Sequence, residues 1–400
     1  MEQTIKPFCG THYNPEKIDD MSEVICPPYD VIDSKQLESL RQKSAYNFSH
    51  ILLATNGNYK ELGEKFQKWI DDKILIDDND PSLYLYEQKF QCQGNTYCRF
   101  GFLGLLRMDK EGTVHPHEHT LSKPKEDRKK MINEMKTNLS PIFVVVPKPV
   151  EIFSQTYQDY SKKKPTYTFK DIDGNDNVMW RIDDKLVVEK ICGAVQESKL
   201  VIADGHHRFE ISYDYYQKNK GEFKDLNYVL AFIASAQDGL LILPTHRIIE
   251  VKENAAELTA KLEEYFVISK VSQGQMTDNL NKKGMFAFGI YRDGQFYFME
   301  LKSKEILDKM LGDSVYKNLD SYLLHHVVLP LVTTVGDITY THTIDEARML
   351  AGSGKCAFLV RAAALEDVFQ IANQGYRMPQ KSTYFYPKLV SGAVIRRFRK

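Results

Sequence analysis

Apolar residues in this chain follow two spacings, one of about two residues and one of about three and a half, and segments of the two kinds alternate. Leu83 to Phe90 and Tyr97 to Met108 carry the shorter spacing on either side of Gly94-Asn95, which predicts an antiparallel hairpin. A second hairpin is predicted for Phe286 to Tyr291 and Gln295 to Leu301 around Asp293-Gly294. Ile142 to Val146, Val178 to Ile182, 198–203, Tyr228 to Ser235, Leu240 to Leu243 and Cys356 to Arg361 read as further strands. Helical spacing appears at 35–45, 59–73, Lys185 to Gln196, Phe209 to Lys218 and Asn254 to Phe266, then at 303–311, 314–328, 344–351 and Ala364 to Asn373. Pro124 opens a charged helix to about Lys136, because proline fits a first helical turn. Pro27-Pro28-Tyr29-Asp30-Val31 is stiff and extended, and 111–123 and Gly375 to Lys388 read as loops. The mixture predicts an α/β (α+β) protein. A change of texture near Val251 divides it into 1–250 and a smaller α/β domain at 251–400.

Composition narrows the function classes. The 400 residues are 42% hydrophobic and 27% charged, enough for two cores. Lys plus Arg number 53 against 54 for Asp plus Glu, so no polyanion-attracting field exists and a general nucleic-acid binder is disfavoured. Six scattered cysteines without a close pair argue against a zinc ribbon or a disulfide framework. MEQTIKPFCG is not a basic-then-apolar leader, and no apolar run reaches membrane-spanning length. The expectation is a cytoplasmic protein with no membrane partner, and a homodimer is compatible with it.

Two dense clusters carry candidate chemistry. In Asp204-Gly205-His206-His207-Arg208, an apolar strand turns into a helix. Gly205 allows a tight turn with backbone close to a ligand. His206, His207 and Arg208 then fall in the first helical turn, where unpaired N–H groups and the positive dipole end attract anions. Cations normally avoid that position, so the cluster predicts a phosphate site; surface histidines behind an Asp204 N-cap are the plain alternative.

The second cluster is His115-Pro116-His117-Glu118-His119-Thr120. Imidazole and carboxylate both ligate Zn²⁺ or Mn²⁺, but the spacing is not that of a helix-borne zinc site. An extended segment would put His117 and His119 on one face and turn Glu118 alone into a pocket, as a general base requires; a solvated turn fits equally. Downstream, Lys125 and Arg128 share a helix face that could clamp phosphates or simply be solvated. Pro379 to Lys388 is rich in donors and aromatics, the composition of a functional loop or lid. Pro244-Thr245-His246-Arg247 ends a strand with more donors, or with a solvated tip.

Three of these segments, in order, resemble the free L-serine kinase branch of the ParB/sulfiredoxin-like superfamily. They are Pro116-His117-Glu118, Asp204 to Arg208, and Pro379 to Pro387. The chain also looks like a bacterial family long labelled as of unknown function, with a Pro-Pro-Tyr-Asp-Val-Ile segment, here 27–32, and a His-Glu-x-Thr loop. The resemblance implies a ParB/sulfiredoxin-like core with an N-terminal extension, and transfer of a phosphoryl group between ADP (or ATP or pyrophosphate) and serine, giving phosphoserine or running in reverse. It implies Glu118 as the base and Asp204 as its tuner or as a positioner of the hydroxyl. Gly205, His206, His207, Arg208, Lys125 and Arg128 would hold the phosphates. His117, Thr120, Lys381, Ser382 and Thr383 would hold the acceptor. Mg²⁺ bridging phosphates is expected and no metal held by protein ligands alone. No Walker or kinase glycine loop is present. The competing readings are a ParB-type nucleotide switch or DNA-associated protein, a metallohydrolase built on His115, His117 and His119, and a sulfiredoxin-like enzyme. The last needs a cysteine where His206 and His207 stand.

Overall fold

The computed structural model describes residues 2–54, 57–108, 113–118, 123–196, 198–236, 239–282, 286–312, 314–352 and 354–400. It has a mixed α/β fold in two compact units. The first holds 1–116, 120–241 and 387–400, and the second holds 117–119 and 242–386.

The first unit is built on a nine-stranded sheet. Its strands are β1 (Ile5–Lys6), β2 (Leu83–Cys92), β3 (Asn95–Arg107), β4 (Val114–Pro116), β5 (Ile142–Val146), β6 (Tyr167–Lys170), β7 (Asp176–Ile182), β8 (Leu200–Asp204) and β9 (Tyr228–Ser235). They lie in the order β4-β8-β5-β9-β3-β2-β7-β6, with β1 alongside β3. Parallel pairs (β4 with β8, β5 with β9) and antiparallel ones are mixed. Central strands must be apolar on both faces, and every residue of β5 and β9 is buried. The predicted first hairpin forms. Its two-residue turn is Gln93-Gly94, both at positive φ (50° and 79°), one position earlier than expected, so Asn95 begins β3. Such left-handed pairs match the twist of the flanking strands. The longer helices of the unit are α1 (Ser34–Lys43), α2 (Tyr59–Asp71), α3 (Lys123–Met135), α4 (Glu151–Tyr160), α5 (Lys185–Ala194) and α6 (His206–Lys218). Phe153 of α4, Ile191 of α5 and Phe209 of α6 join the same apolar cluster as Phe102 and Ile233 of the sheet.

The second unit is an antiparallel sheet of β10 (His246–Val251), β11 (Phe266–Val271), β12 (Ala287–Arg292), β13 (Gln295–Leu301), β14 (Thr334–Thr341) and β15 (Lys355–Leu359). Their order is β11-β13-β12-β15-β10-β14. Side chains alternate across it. Ile249, Phe288 and Phe358 pack with α7 (Ala255–Leu262) and α9 (Lys304–Leu311), whereas Ile248 and Leu359 pack with α8 (Gln273–Leu280) and α10 (Ile344–Leu350). Helix α11 (Leu365–Asn373) follows β15. Asn254 with Glu257 forms a capping box that starts α7.

Several expectations change. The helix predicted to Phe266 stops at Leu262, and Phe266 opens β11, because a residue of either period fits that junction. Of 314–328, only Asp320–Leu323 is α-helical, followed by a π-helical turn at Leu324–Val328. The 111–123 loop contains β4, and β14 lies in a stretch with no apolar alternation to reveal it. No helix among the described residues is long and apolar enough to cross a membrane.

Candidate functional site

In the first unit, β8 delivers the Asp-Gly-His-His-Arg segment as the sequence predicts. Residues 200–203 are buried, Gly205 takes a left-handed conformation (φ 89°) as the residue capping α6, and His206, His207 and Arg208 form the first turn. No side chain among the described residues caps that turn, and Gly205 rather than Asp204 is the N-cap residue. Its carboxylate is divided between two cations. One oxygen accepts from Arg208, and the other accepts from Lys388 Nζ at 2.5 Å. Burial alone would raise the Asp204 pKa, but Lys388 and then Arg208 hold it far below the usual carboxylate range. A second Arg208 nitrogen donates to the Pro141 carbonyl. His206 is buried.

Lys388 was not among the predicted site residues, and its position is itself constructed. Arg99, fully buried in β3, donates to Gln88 and to the Pro387 carbonyl (2.5 Å), and Gln88 donates to the Lys388 carbonyl at 3.3 Å. Burial draws the Arg99 pKa down to about 10, opposed by Tyr86 and Asp204. Arg99, Lys388, Asp204 and Arg208 therefore form one connected, largely buried network.

Arg128 of α3 lies near this network. It and Arg208 line one cavity of about 60 Å³ with Tyr29, Ser140 and Ser212. Tyr29 belongs to the Pro-Pro-Tyr-Asp segment; the Arg128 guanidinium sits 4.3 Å from its ring centre, and burial lifts its phenol to about 12. Arg128 is held by Asp127 and by the Leu52 carbonyl (2.8 Å). Lys125 is in the same helix, but its side chain falls outside the described set, as does Thr120 altogether.

In the second unit, Glu118 meets the late loop. Its Oε1 accepts from the Thr383 N–H at 2.9 Å and from the Thr383 hydroxyl at 2.8 Å. His117, completely buried, places Nε2 2.8 Å from the same hydroxyl. Because that hydroxyl's one proton goes to the carboxylate, His117 must donate through Nε2–H. The expected separation of His117 and Glu118 onto opposite faces is thus corrected: both reach Thr383. Glu118 makes an isolated bridge with Met378 rather than a strand ladder, so strict alternation is not enforced.

Arg247, fully buried, donates to the Lys381 carbonyl at 3.2 Å and to Thr245. Burial lowers its pKa to about 10, with Tyr340 and Glu118 pulling it back, so Glu118 lies in the field of this guanidinium. The strand tip at 244–247, readable as solvated, is instead interior. It leaves Thr245 Oγ1, His246 Nε2 and Arg247 Nε without hydrogen-bond partners among the described residues. Lys381 adopts φ 55°, a left-handed conformation uncommon for a side-chain-bearing residue, with its side chain exposed. Ser382 is buried, donating to the Pro379 carbonyl at 2.8 Å and accepting from Ser321 at 3.0 Å.

Among the described residues no three His, Cys, Asp or Glu side chains are grouped as metal ligands. Hard cations such as Mg²⁺ take oxygen ligands, yet the motif's carboxylate, Asp204, already holds two side-chain cations. The residues around it do not fit a protein-held Mg²⁺.

Solved structures similar to this chain include a free serine kinase variant in complex with ADP (TM-score 0.37, 14% identity, 70% of this chain and 86% of that one). Others are the free serine kinase in complex with AMP (0.35, 15%, 71% and 86%) and C-terminally truncated SbnI from Staphylococcus aureus (0.38, 9%, 72% and 85%). No curated protein matches the chain by sequence. A family model described as a protein of unknown function (DUF1015) matches residues 5–322, and the chain belongs to that family.

Proposed function

We propose that this protein is a small-molecule phosphotransferase that moves a phosphoryl group between a nucleotide, ADP in the favoured form, and the hydroxyl of serine. The observation that carries the reading is the uncapped first turn of α6. That turn carries His206, His207 and Arg208 together, with Asp204 holding the guanidinium and itself held by Lys388. Phosphoryl transfer needs chiefly positioning and charge neutralisation, which such a cradle supplies. The motif resemblance at 116–118, 204–208 and 379–387 supports the same class and the ParB/sulfiredoxin-like kinship.

In this reading the serine oxygen bonds to the terminal phosphorus of ADP as the bond to the bridging oxygen breaks. AMP leaves with that electron pair, and the hydroxyl proton passes to Glu118. Thr383 and His117 orient the carboxylate, and Arg247 holds the loop at Lys381. Gly205, His206, His207, Arg208 and Arg128 take the phosphates, Lys125 being the remaining assigned cation. Asp204 acts by organising Arg208 and Lys388 rather than by touching the acceptor. His117, Thr120, Ser382 and Thr383 border the acceptor. Mg²⁺ would travel with the nucleotide, and no step is routed through it.

The test is incubation of the full chain with serine, Mg²⁺ and ADP, ATP or pyrophosphate, followed by phosphorus NMR. Phosphoserine is expected with one donor, and Glu118→Gln should lose about 10²–10⁴-fold in rate with the fold intact. No phosphoserine from any donor, and no reverse reaction from phosphoserine and AMP, would overturn the reading.

A further inference from the structure

The second unit contains a cavity of about 620 Å³ to which no role is assigned above. That volume lies within the range of about 300–1,000 Å³ typical of metabolite and cofactor sites, and far exceeds what serine fills. It adjoins the Glu118 contact through Ser382, which lines the cavity while the next residue, Thr383, bonds Glu118.

Apolar walls come from Leu280 of α8, Phe286, Leu307 of α9, and Leu323. The charged wall is built around Arg361, whose guanidinium is fixed by Asp320 through bonds of 2.5 and 2.8 Å, with Asp320 only 7% exposed. Lys282 and Lys304 add two exposed cations to the lining. Of the three lining carboxylates, Asp320 is held by Arg361 and Asp308 by Lys317 at 2.5 Å, leaving Asp367 as the one without an ion-pair partner among the described residues. Ala362 to Ala364 also line the cavity, and they lead into α11, whose first turn carries Glu366 and Asp367. Lys282 and Lys304 thus outnumber the one lining carboxylate outside an ion pair among the described residues, Asp367. An apolar enclosure beside such a wall favours a ligand with a negative head and an uncharged body.

We infer that this cavity binds an organic anion of metabolite size, its carboxylate or phosphate head taken by the cationic wall and its apolar body by Leu280, Phe286, Leu307 and Leu323. The cavity shares Ser382 with the proposed acceptor border but not His117, Glu118 or Thr383, and its probes contain neither serine nor nucleotide, so either reading can fail alone.

The test is isothermal titration calorimetry on the full chain without nucleotide, using phenyl phosphate, phenylacetate, phenol and inorganic phosphate. One equivalent of phenyl phosphate or phenylacetate is expected to bind, and whichever is tighter identifies the head. Phenol and inorganic phosphate, each carrying half of the recognition, should bind at least about tenfold more weakly. The double variant Lys282→Glu/Lys304→Glu, at exposed positions that folding does not need, should weaken the better probe at least about tenfold and leave the thermal midpoint of the unliganded protein unchanged. Lys309→Glu, exposed on α9 but off the lining, should bind as the parent does. The inference falls if neither aromatic anion binds at millimolar concentration, if phenol binds as well as they do, or if the double variant matches the parent.

Discussion

Replacing Asp204 with Asn tests the network of the first unit directly. The substitution keeps the shape but removes the charge that Lys388 and Arg208 share. Their side chains are 13% and 12% exposed, and that of Asp204 is 18%, so solvent screens the interaction only partly. Removing one partner of a fully buried pair costs about 3–5 kcal/mol, and the residual exposure and the remaining amide oxygen bring the expectation to about 2–3 kcal/mol. Trp69 and Trp180 are the two tryptophans of the chain, and both are buried in the first unit, so indole fluorescence during urea unfolding reports that unit alone. The pH dependence follows from the depressed pKa of Asp204. As pH falls, the unfolded carboxyl, at about 3.9, takes up its proton before the folded one does. The stabilisation is therefore complete above about pH 5 and is lost progressively below it, so the gap between parent and Asp204→Asn should narrow toward pH 2. Adding Lys388→Met to Asp204→Asn should recover part of the loss, since it removes a stranded cation. Equal stability of parent and Asp204→Asn at pH 7, or a gap that does not change with pH, would refute the account.

Gly205→Ala should cost about 1–2 kcal/mol in the same fluorescence assay, because its φ of 89° strains any Cβ and that Cβ would lie 3.1 Å from the Arg208 guanidinium. An unchanged midpoint would deny the left-handed turn. Thr383→Val removes the hydroxyl that His117 Nε2 and Glu118 Oε1 share, so it should cost about 1–3 kcal/mol, measured by hydrogen exchange at 376–386. Unaltered exchange there would contradict the shared hydroxyl. Burial, then Arg247 and His342, pushes His246 down to about 3; burial, then Arg247 and His326, pushes His325 down to about 4. Unfolded histidines protonate near about 6.5, so stability of the second unit should fall as pH drops from there, at about 1.4 kcal/mol per pH unit per histidine until about pH 4. Circular dichroism during denaturation at stepped pH checks this, and His325→Leu should reduce the slope.

The strand-to-helix turn at 204–208 was legible because everything that makes it is local: an apolar run, a glycine and a helical spacing follow one another. Lys388 was not, because its partner lies 184 positions away and a lysine at the end of a polar loop looks like a surface residue. Arg247 was legible only as a strand-end donor that a solvated tip explains equally well. Charge at a strand tip normally marks solvent, and only the packing of β10 against β14 and β15 reveals that this tip is interior. The hairpins at 83–107 and 287–301 were readable from turn chemistry, whereas β14, with Gly336 and Asp337 inside it, owes its strand form to its neighbour β10. Arg128 was singled out for a shared helix face, yet it is Tyr29, nearly a hundred residues earlier, that accompanies it in the cavity.

The last fourteen residues matter to anyone dividing this protein. Pro387 to Lys400 return to the first unit, where Ile395 is completely buried and accepts from the Thr11 N–H, Arg396–Arg397 pairs with Thr137–Asn138, and Lys388 meets Asp204. A fragment ending near 241 would lack its own closing segment and half of the Asp204 counter-charge. Shortened clones that fail to express or to bind would then report a severed seam rather than a dispensable domain, and a circular permutant joining the tail to the N-terminal half is the sounder way to isolate it.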